Sequence, residues 1–239
     1  MQIDFAGKTV LVAGGTGGLG KSVSLAFLSE GARVIVTYRH EDGFKRLNAA
    51  AGSQAELLEG VAADVTDSSD VLGLVDRMTD RYGALDVVVN TIGGYTGGVK
   101  LWEISPDELQ NMLDLNLRAG FVLAQATLPV LLKRGRGVFI NVASKAAFDH
   151  AAGATVYAAS KAAAVAMMDC LAADVKGTGV RVNTILPSII DTEPNRKAMP
   201  DADFARWPKP EEIAHVILFL ASDSAKAIHG ASLPVYGDS

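Results

Sequence analysis

Cysteine is almost missing from this chain. A single example, Cys170, excludes an intrachain disulfide and gives no sign of an oxidising compartment. Set in the largely apolar run from Ala164 to Ala173, Cys170 reads as a small buried hydrophobe, not a nucleophile. Basic charge is not in surplus either: 22 Lys and Arg against 27 Asp and Glu leave a net charge of −5. Without a basic field, neither nucleic acid nor anionic lipid is an expected partner. The opening MQIDFAGKTVLVAGG has no basic leader running into an apolar core and a cleavage site. The longest uncharged stretch, around Ala119–Leu132, is shorter than the ~20 residues that span a bilayer. Linkers, low-complexity tracts, internal repeats and metal-ligand clusters are all lacking, so one domain over 1–239, cytoplasmic and without metal, is the expectation.

What the chain does have is apolar material, 49% of its residues, arranged in a rhythm. Lys8–Ala13, Arg33–Thr37, Leu57–Ala62, Leu85–Asn90, Gly137–Val142 and Val180–Leu186 are nearly continuous apolar runs rich in β-branched residues. Strands buried on both faces of a parallel sheet need that composition. Ser232–Val235 offers a last edge strand, for about seven in all. Helical patterns lie between them. Ser105-Pro106-Asp107-Glu108 combines an N-cap, a first-position proline and a capping-box acid, and Lys209-Pro210-Glu211-Glu212 starts another helix with proline and two acids. Gly31, Gly83 and Gly177 fall where helices should stop. Alternating strands and helices with short connections predict an α/β fold, a doubly wound parallel sheet with helices on both faces. The proline-rich stretch 188–208 breaks the rhythm and reads as a lid over a ligand, the alternative being an ordinary surface insertion.

The first strand runs into Gly14-Gly15-Thr16-Gly17-Gly18-Leu19-Gly20-Lys21-Ser22, which satisfies two phosphate-binding patterns. As a P-loop, Lys21 and Ser22 would serve a triphosphate and its magnesium. As a dinucleotide loop, Gly14, Gly18 and Gly20 would permit a tight turn and close backbone approach, with the pyrophosphate at the helix N-terminus. A P-loop enzyme also needs an acid at the end of another strand to hold magnesium. The candidate strand ends are Tyr38, Asn90 and Ala143, and none is acidic; Asp64 follows the third strand, but it has an equally good role in the dinucleotide reading. The dinucleotide reading is preferred.

Tyr157 and Lys161 are spaced i, i+4 in Tyr157-Ala158-Ala159-Ser160-Lys161, so a helix would project phenol and ammonium from one face. An ammonium ~4 Å from a phenol, at an effective dielectric of ~20, is worth ~4 kcal/mol, or ~3 pKa units. That would bring a tyrosine towards the pH range of general acid–base catalysis. Ser144 lies just past the fifth strand, where ligands of open α/β sheets collect, and Asn116 sits in the apolar helix segment LDLNLRAG, where a buried amide needs a partner.

The glycine loop, Asp64, Asn116, Ser144, Tyr157 and Lys161, in this order and spacing, resemble the short-chain dehydrogenases/reductases in their compact Rossmann-like, single-domain form, over Lys8 to Gly237. The resemblance implies hydride transfer between a nicotinamide cofactor and a carbonyl or alcohol. Tyr157 would give or take the proton, Ser144 would hold the substrate oxygen, Lys161 would also bind the nicotinamide ribose, and Asn116 would position a relay water. Gly14, Thr16, Gly18, Leu19 and Gly20 would meet the pyrophosphate, Asp64 and Val65 the adenine. Asn90 and Gly93 would line the cofactor cleft, while Pro187, Ile190 and Thr192 would seat the nicotinamide. Tyr38 stands at the position that is acidic in NAD-specific relatives, followed by Arg39, which points to NADP(H) over NAD(H). A homo-oligomer, tetramer or dimer, built on helices around Pro106–Lys133 and Thr155–Lys176, is also implied.

Three positions depart from the family pattern: Ala13 replaces a usual Thr, Asn90-Thr91-Ile92-Gly93 replaces Asn-Asn-Ala-Gly, and Pro187-Ser188 replaces Pro-Gly. A catalytically silent NADP(H)-binding sensor or scaffold is the alternative, opposed by the complete Asn, Ser, Tyr, Lys set. A Rossmann epimerase or dehydratase would usually need a further C-terminal domain. Tyr95, Trp102, Phe148, His150, Met199, Phe204 and Trp207 could line an apolar cleft, though each taken singly reads as packing.

Overall fold

The structure, a computed structural model, describes residues 3–239; Met1 and Gln2, the first two of the expected domain, lie outside them. Within these residues seven strands form one parallel sheet: β1 (Thr9–Ala13), β2 (Arg33–Tyr38), β3 (Leu58–Ala62), β4 (Val87–Asn90), β5 (Gly137–Val142), β6 (Val180–Pro187) and β7 (Ser232–Val235). Their spatial order is β3-β2-β1-β4-β5-β6-β7. The order reverses between β1 and β4, and at such a switch point the carboxyl ends of the strands open a crevice. The edge strand at Ser232–Val235 pairs parallel to β6 with Thr184 opposite Ser232.

Among the described residues, eight α-helices connect and cover the sheet: α1 (Gly18–Ser29), α2 (Glu41–Ala51), α3 (Ser68–Tyr82), α4 (Pro106–Leu113), α5 (Ala119–Arg134), α6 (Thr155–Asp174), α7 (Glu193–Ala198) and α8 (Pro210–Ala221). Side-chain alternation along each strand divides the core. Val10 and Val12 join Val23 and Phe27 of α1 and Ile213 and Ile217 of α8 on one face. Leu11 and Ala13 join Leu74 of α3, Leu123 of α5 and Met168 of α6 on the other. Helix starts follow the expected chemistry. The Ser105 hydroxyl accepts from the Glu108 N–H while Glu108 accepts from the Ser105 N–H, and the Lys209 N–H donates to Glu212 at 2.7 Å. Gly83 closes α3 at φ +68°, a left-handed value that suits glycine.

Three features differ from expectation. Cys170 is exposed. The α6 helix is apolar nearly all round, so composition does not reveal which side is buried. Met168 packs inward, and Cys170, about 200° further round the helix, therefore points out. Secondly, the long helix expected around Pro106–Lys133 is found as Pro106–Arg134, but a π-helical turn at Asp114–Arg118 divides it into α4 and α5. This helix and α6 are each long and apolar enough to cross a membrane by length and composition, though roughly half of each is buried in this fold. Thirdly, 188–208 is less irregular than its prolines suggest. It contains α7 and a 3-10 turn at Phe204–Arg206, and Trp207 is buried as packing.

Candidate active site

Sterics explain why the glycine loop is built of glycine. A Cβ on Gly20 would stand 2.1 Å from the Gly14 carbonyl oxygen, and one on Gly15 would stand 2.4 Å from Val36 Cγ1. Gly14 itself adopts φ +75° and donates its N–H to Thr37 Oγ1 at 2.9 Å. No side chain caps α1 at Gly17, so the first-turn N–H groups of Gly18, Leu19 and Gly20 are oriented as at an anion-binding helix end. A Cβ on Gly18 would lie 3.0 Å from Thr192 Cγ2, which brings the loop against the start of the 188–208 segment. Lys21 is exposed on α1, as the dinucleotide reading requires. This cradle, which a Cβ would fill, fits a dinucleotide pyrophosphate.

At the expected adenosine end, Tyr38 stacks on Phe44, with ring centroids 5.3 Å apart and planes 11° from parallel. Phe44 went unnoticed in the sequence because only the fold of α2 back over β2 brings it there. Arg39 pairs loosely with Asp64 at 3.7 Å, both side chains about half exposed. Asp64 also accepts from the N–H and hydroxyl of Thr66, and these bonds, aided by Arg39, hold its carboxyl below the ordinary value. Val65 is buried behind it.

Where β4 ends, Asn90 donates to Asn141 Oδ1 at 2.8 Å and accepts from the Ile92 N–H, fixing the turn into Gly93. A Cβ on Gly93 would lie 2.8 Å from Lys161 Nζ and 3.0 Å from Asn116 Oδ1, so only glycine leaves those two groups room. Asn116 occupies the π turn, a feature that often marks functional positions in helices. Its amide bonds the N–H and carbonyl of Gly94 and the Ser160 hydroxyl, which answers the need for a buried partner.

Tyr157 and Lys161 lie one turn apart on α6, and Ser144 caps the 3-10 turn Lys145–Ala147 at the exit of β5. Burial pushes the Tyr157 phenol above its ordinary value, the facing Ser144 hydroxyl offsets part of this, and Tyr95 adds a little to it. Lys161 is buried, and desolvation lowers it to about 8. Its Nζ donates to the Val142 carbonyl at 3.4 Å. The expected lowering of the phenol by Lys161 is therefore not seen here. The i, i+4 spacing sets a shared helix face, but desolvation dominates both groups and the ammonium turns to the β5 backbone.

At the other side of the cleft, Pro187 ends β6 and Ile190 packs against the core. Thr192 caps α7, and Asn195 donates to the Ile190 carbonyl at 2.8 Å. Ser188, in place of the usual glycine, has a role of its own. Its hydroxyl donates to the Tyr236 carbonyl and accepts from Ser239 Oγ, both at 2.7 Å, tying the root of the 188–208 segment to the C-terminal residues.

The structure thus gathers Asn116, Ser144, Tyr157 and Lys161 at the carboxyl ends of β4 and β5, beside the glycine loop. Comparison with known proteins agrees with this geometry. Residues 8–203 match the short chain dehydrogenase profile. The chain is 34% identical to D-threitol dehydrogenase of Mycolicibacterium smegmatis, covering 99% of this chain and 96% of that protein. It is 31% identical to a 3-oxoacyl-[acyl-carrier-protein] reductase of Thermotoga maritima, covering 97% of both. The solved structure of ElxO with NADP bound superposes with a TM-score of 0.90 at 26% identity, covering 96% of this chain and 97% of that one. Fold, glycine loop and site together show that the chain belongs to the short-chain dehydrogenase/reductase family, oxidoreductases acting between CH–OH and C=O groups.

Proposed function

We propose that the chain reduces a carbonyl, or oxidises the corresponding alcohol, with NADP(H), and that Tyr157 carries the proton. The observation behind this reading is the placement of Tyr157 and Ser144 facing one another at the mouth of the crevice, with buried Lys161 one helical turn behind. When bound, the nicotinamide supplies or accepts the hydride. Ser144 holds the substrate oxygen against the phenol, and Tyr157 donates its proton to that oxygen in reduction or removes it in oxidation. A phenol kept protonated by burial is suited to the donor role. Lys161 holds the ribose hydroxyls, and its ammonium, titrating near 8, exchanges protons along the path marked by Asn116 and Ser160.

Gly14, Thr16, Gly18, Leu19 and Gly20 cradle the pyrophosphate. Tyr38, Arg39, Asp64 and Val65 take the adenosine half, and Asn90, Gly93, Pro187, Ile190 and Thr192 the nicotinamide half. One cofactor-binding domain spans 1–239, with 188–208 as its lid. In this reading the protein works in the cytoplasm as a homo-oligomer, its contact surface including the exposed Leu109, Phe121 and Leu132 of α4 and α5.

The test is NADPH oxidation followed at 340 nm over a panel of ketones, sugars, 3-oxoacyl thioesters and quinones. Tyr157→Phe should lose more than about tenfold in kcat, a loss above ~1.4 kcal/mol, with NADPH affinity nearly unchanged. Lys161→Ala should impair both. Retention of more than a tenth of kcat by Tyr157→Phe overturns the assignment.

A further inference from the structure

The loop leaving β4 reads Gly93-Gly94-Tyr95-Thr96-Gly97-Gly98, one tyrosine framed by two glycine pairs. Its backbone is fixed at three points. Gly94 bonds Asn116 through both its N–H and its carbonyl. A Cβ on Gly94 would lie 2.9 Å from Leu115 Cδ1, so the chain presses against the π turn. Further on, the Gly98 N–H donates to the Gly153 carbonyl at 3.0 Å, tethering the loop to the segment that leads into α6. Between these anchors the Tyr95 ring meets the Tyr157 ring edge to face, centroids 4.9 Å apart and planes at 76°.

The position of Tyr95 depends on Gly97. A Cβ there would stand 2.0 Å from the Tyr95 hydroxyl oxygen and 2.4 Å from its Cζ. Yet Tyr95 is 67% exposed, far more than a tyrosine used for packing. One edge of the ring serves Tyr157, and the remainder stands open at the mouth of the crevice. Behind it, a cleft of about 430 Å³ runs from Tyr95 along Met112 and Leu115 to Arg39.

We infer that Tyr95 is a specificity-determining wall beside the proton donor, held in place by Gly97, and that it favours carbonyl compounds bearing a flat aromatic group on the reacting carbon. The inference rests on Tyr157 being the proton donor. A carbonyl oxygen that reaches Tyr157 between Ser144 and the phenol carries its substituents past the open part of the Tyr95 ring. A planar π-system can pack there in the offset or edge geometry that aromatic pairs favour, whereas a saturated ring of equal size gains only contact area. Such pairing is worth roughly 2- to 12-fold in binding. Tyr95 also screens Tyr157 from water. Ser144 from the β5 exit faces that phenol and Tyr95 from the β4 loop packs on its ring, whereas the Lys161 ammonium, one turn along α6, turns to the Val142 carbonyl; of these Tyr95 acts with burial to keep the phenol protonated.

The experiment compares kcat/KM for acetophenone and cyclohexyl methyl ketone in the wild type, Tyr95→Phe, Tyr95→Ala, Gly97→Ala and the Tyr95→Ala/Gly97→Ala double variant. The aryl preference should survive Tyr95→Phe and fall roughly 2- to 12-fold in Tyr95→Ala. Gly97→Ala should lower it too, but should add nothing in the Tyr95→Ala background, because the side chain it displaces is gone. In parallel, phenolate absorbance isolates Tyr157 as the difference between each protein and its Tyr157→Phe counterpart. That titration should move to lower pH in Tyr95→Ala, where both the screening ring and the neighbouring phenol are lost. An unchanged ketone ratio in Tyr95→Ala overturns the inference while leaving the function intact, whereas an active Tyr157→Phe enzyme overturns the function itself.

Discussion

Thr91 donates its hydroxyl to the carbonyl of Ala13 at 2.7 Å, across the gap between β4 and β1. Both residues are departures from the family pattern. The bond is made to the backbone of residue 13, just past the end of β4, so it adds a side-chain tie at the switch point that does not depend on the alanine side chain.

Removing that tie should be felt mildly. The Thr91 N–H also donates to the Ala13 carbonyl, at 3.1 Å, so Thr91→Val does not leave the acceptor unpaired. The expected loss is therefore at the low end for a hydrogen bond, about 0.5 kcal/mol. Urea unfolding measures it: a shifted midpoint with unchanged slope is expected, and no shift would show that the bond contributes nothing.

Lys161 should cost the fold stability that its function requires. Its pKa falls from 10.5 to about 8 on folding, because burial disfavours the ammonium. The unfolded chain then binds more protons between those two values, so this group's contribution to stability rises as pH climbs from about 8 to 10.5. Below pH 8 the penalty is fully present, on the order of 3 kcal/mol for a shift of this size. Lys161→Met should consequently be more stable than the wild type at pH 7, by up to that amount, and catalytically dead. The advantage should shrink as pH climbs from about 8 and be gone by about 10.5. A variant less stable at pH 7 than the wild type would show that the ammonium is well solvated or paired.

Much of this was legible in the sequence, and the rest was not for definite reasons. The strands could be read because those buried on both faces are nearly pure Val, Ile and Leu, as in Val10–Ala13 and Val87–Val89. Ser105 and Glu108 announced their helix because capping chemistry is local. Cys170 was misjudged because α6 shows no polar stripe from which to read a face. The π turn at Asn116 and the stacking of Phe44 on Tyr38 had no local signal, being set by tertiary contacts. The lowered Lys161 pKa likewise required the depth of the residue, which i, i+4 spacing does not encode.

The exposed apolar residues of α4 and α5 make a prediction about assembly. Leu109, Phe121 and Leu132 are all exposed along these helices, Phe121 by 50%, and in the proposed homo-oligomer a second copy of the chain covers them. Light scattering at micromolar concentration should report a dimer or tetramer of the 25.0 kDa chain, and Phe121→Glu should reduce its size. A wild-type monomer under those conditions excludes this assembly.

Cofactor choice turns on Arg39. Its neighbour Tyr38 closes β2 where an NAD-specific site would place a carboxylate for the ribose 2′-hydroxyl. No acid there repels a 2′-phosphate, and a guanidinium can bind one through charge-assisted, often bidentate bonds. The ion pair with Asp64 does not stand in the way: at 3.7 Å and half exposed on both sides, it is of the kind worth 0–1 kcal/mol. A bond from the guanidinium to phosphate is worth ~1.5–3 kcal/mol, so the phosphate should win the exchange. Tyr38, stacked on Phe44, already gives this end of the cleft an aromatic floor that is indifferent to the phosphate. Arg39→Ala should thus weaken NADPH by roughly 10- to 150-fold and leave NADH almost untouched. Dissociation constants for both cofactors, taken from nicotinamide fluorescence, decide the matter. Equal losses, or a wild-type preference for NADH, would mean that Arg39 is only a solvated loop charge.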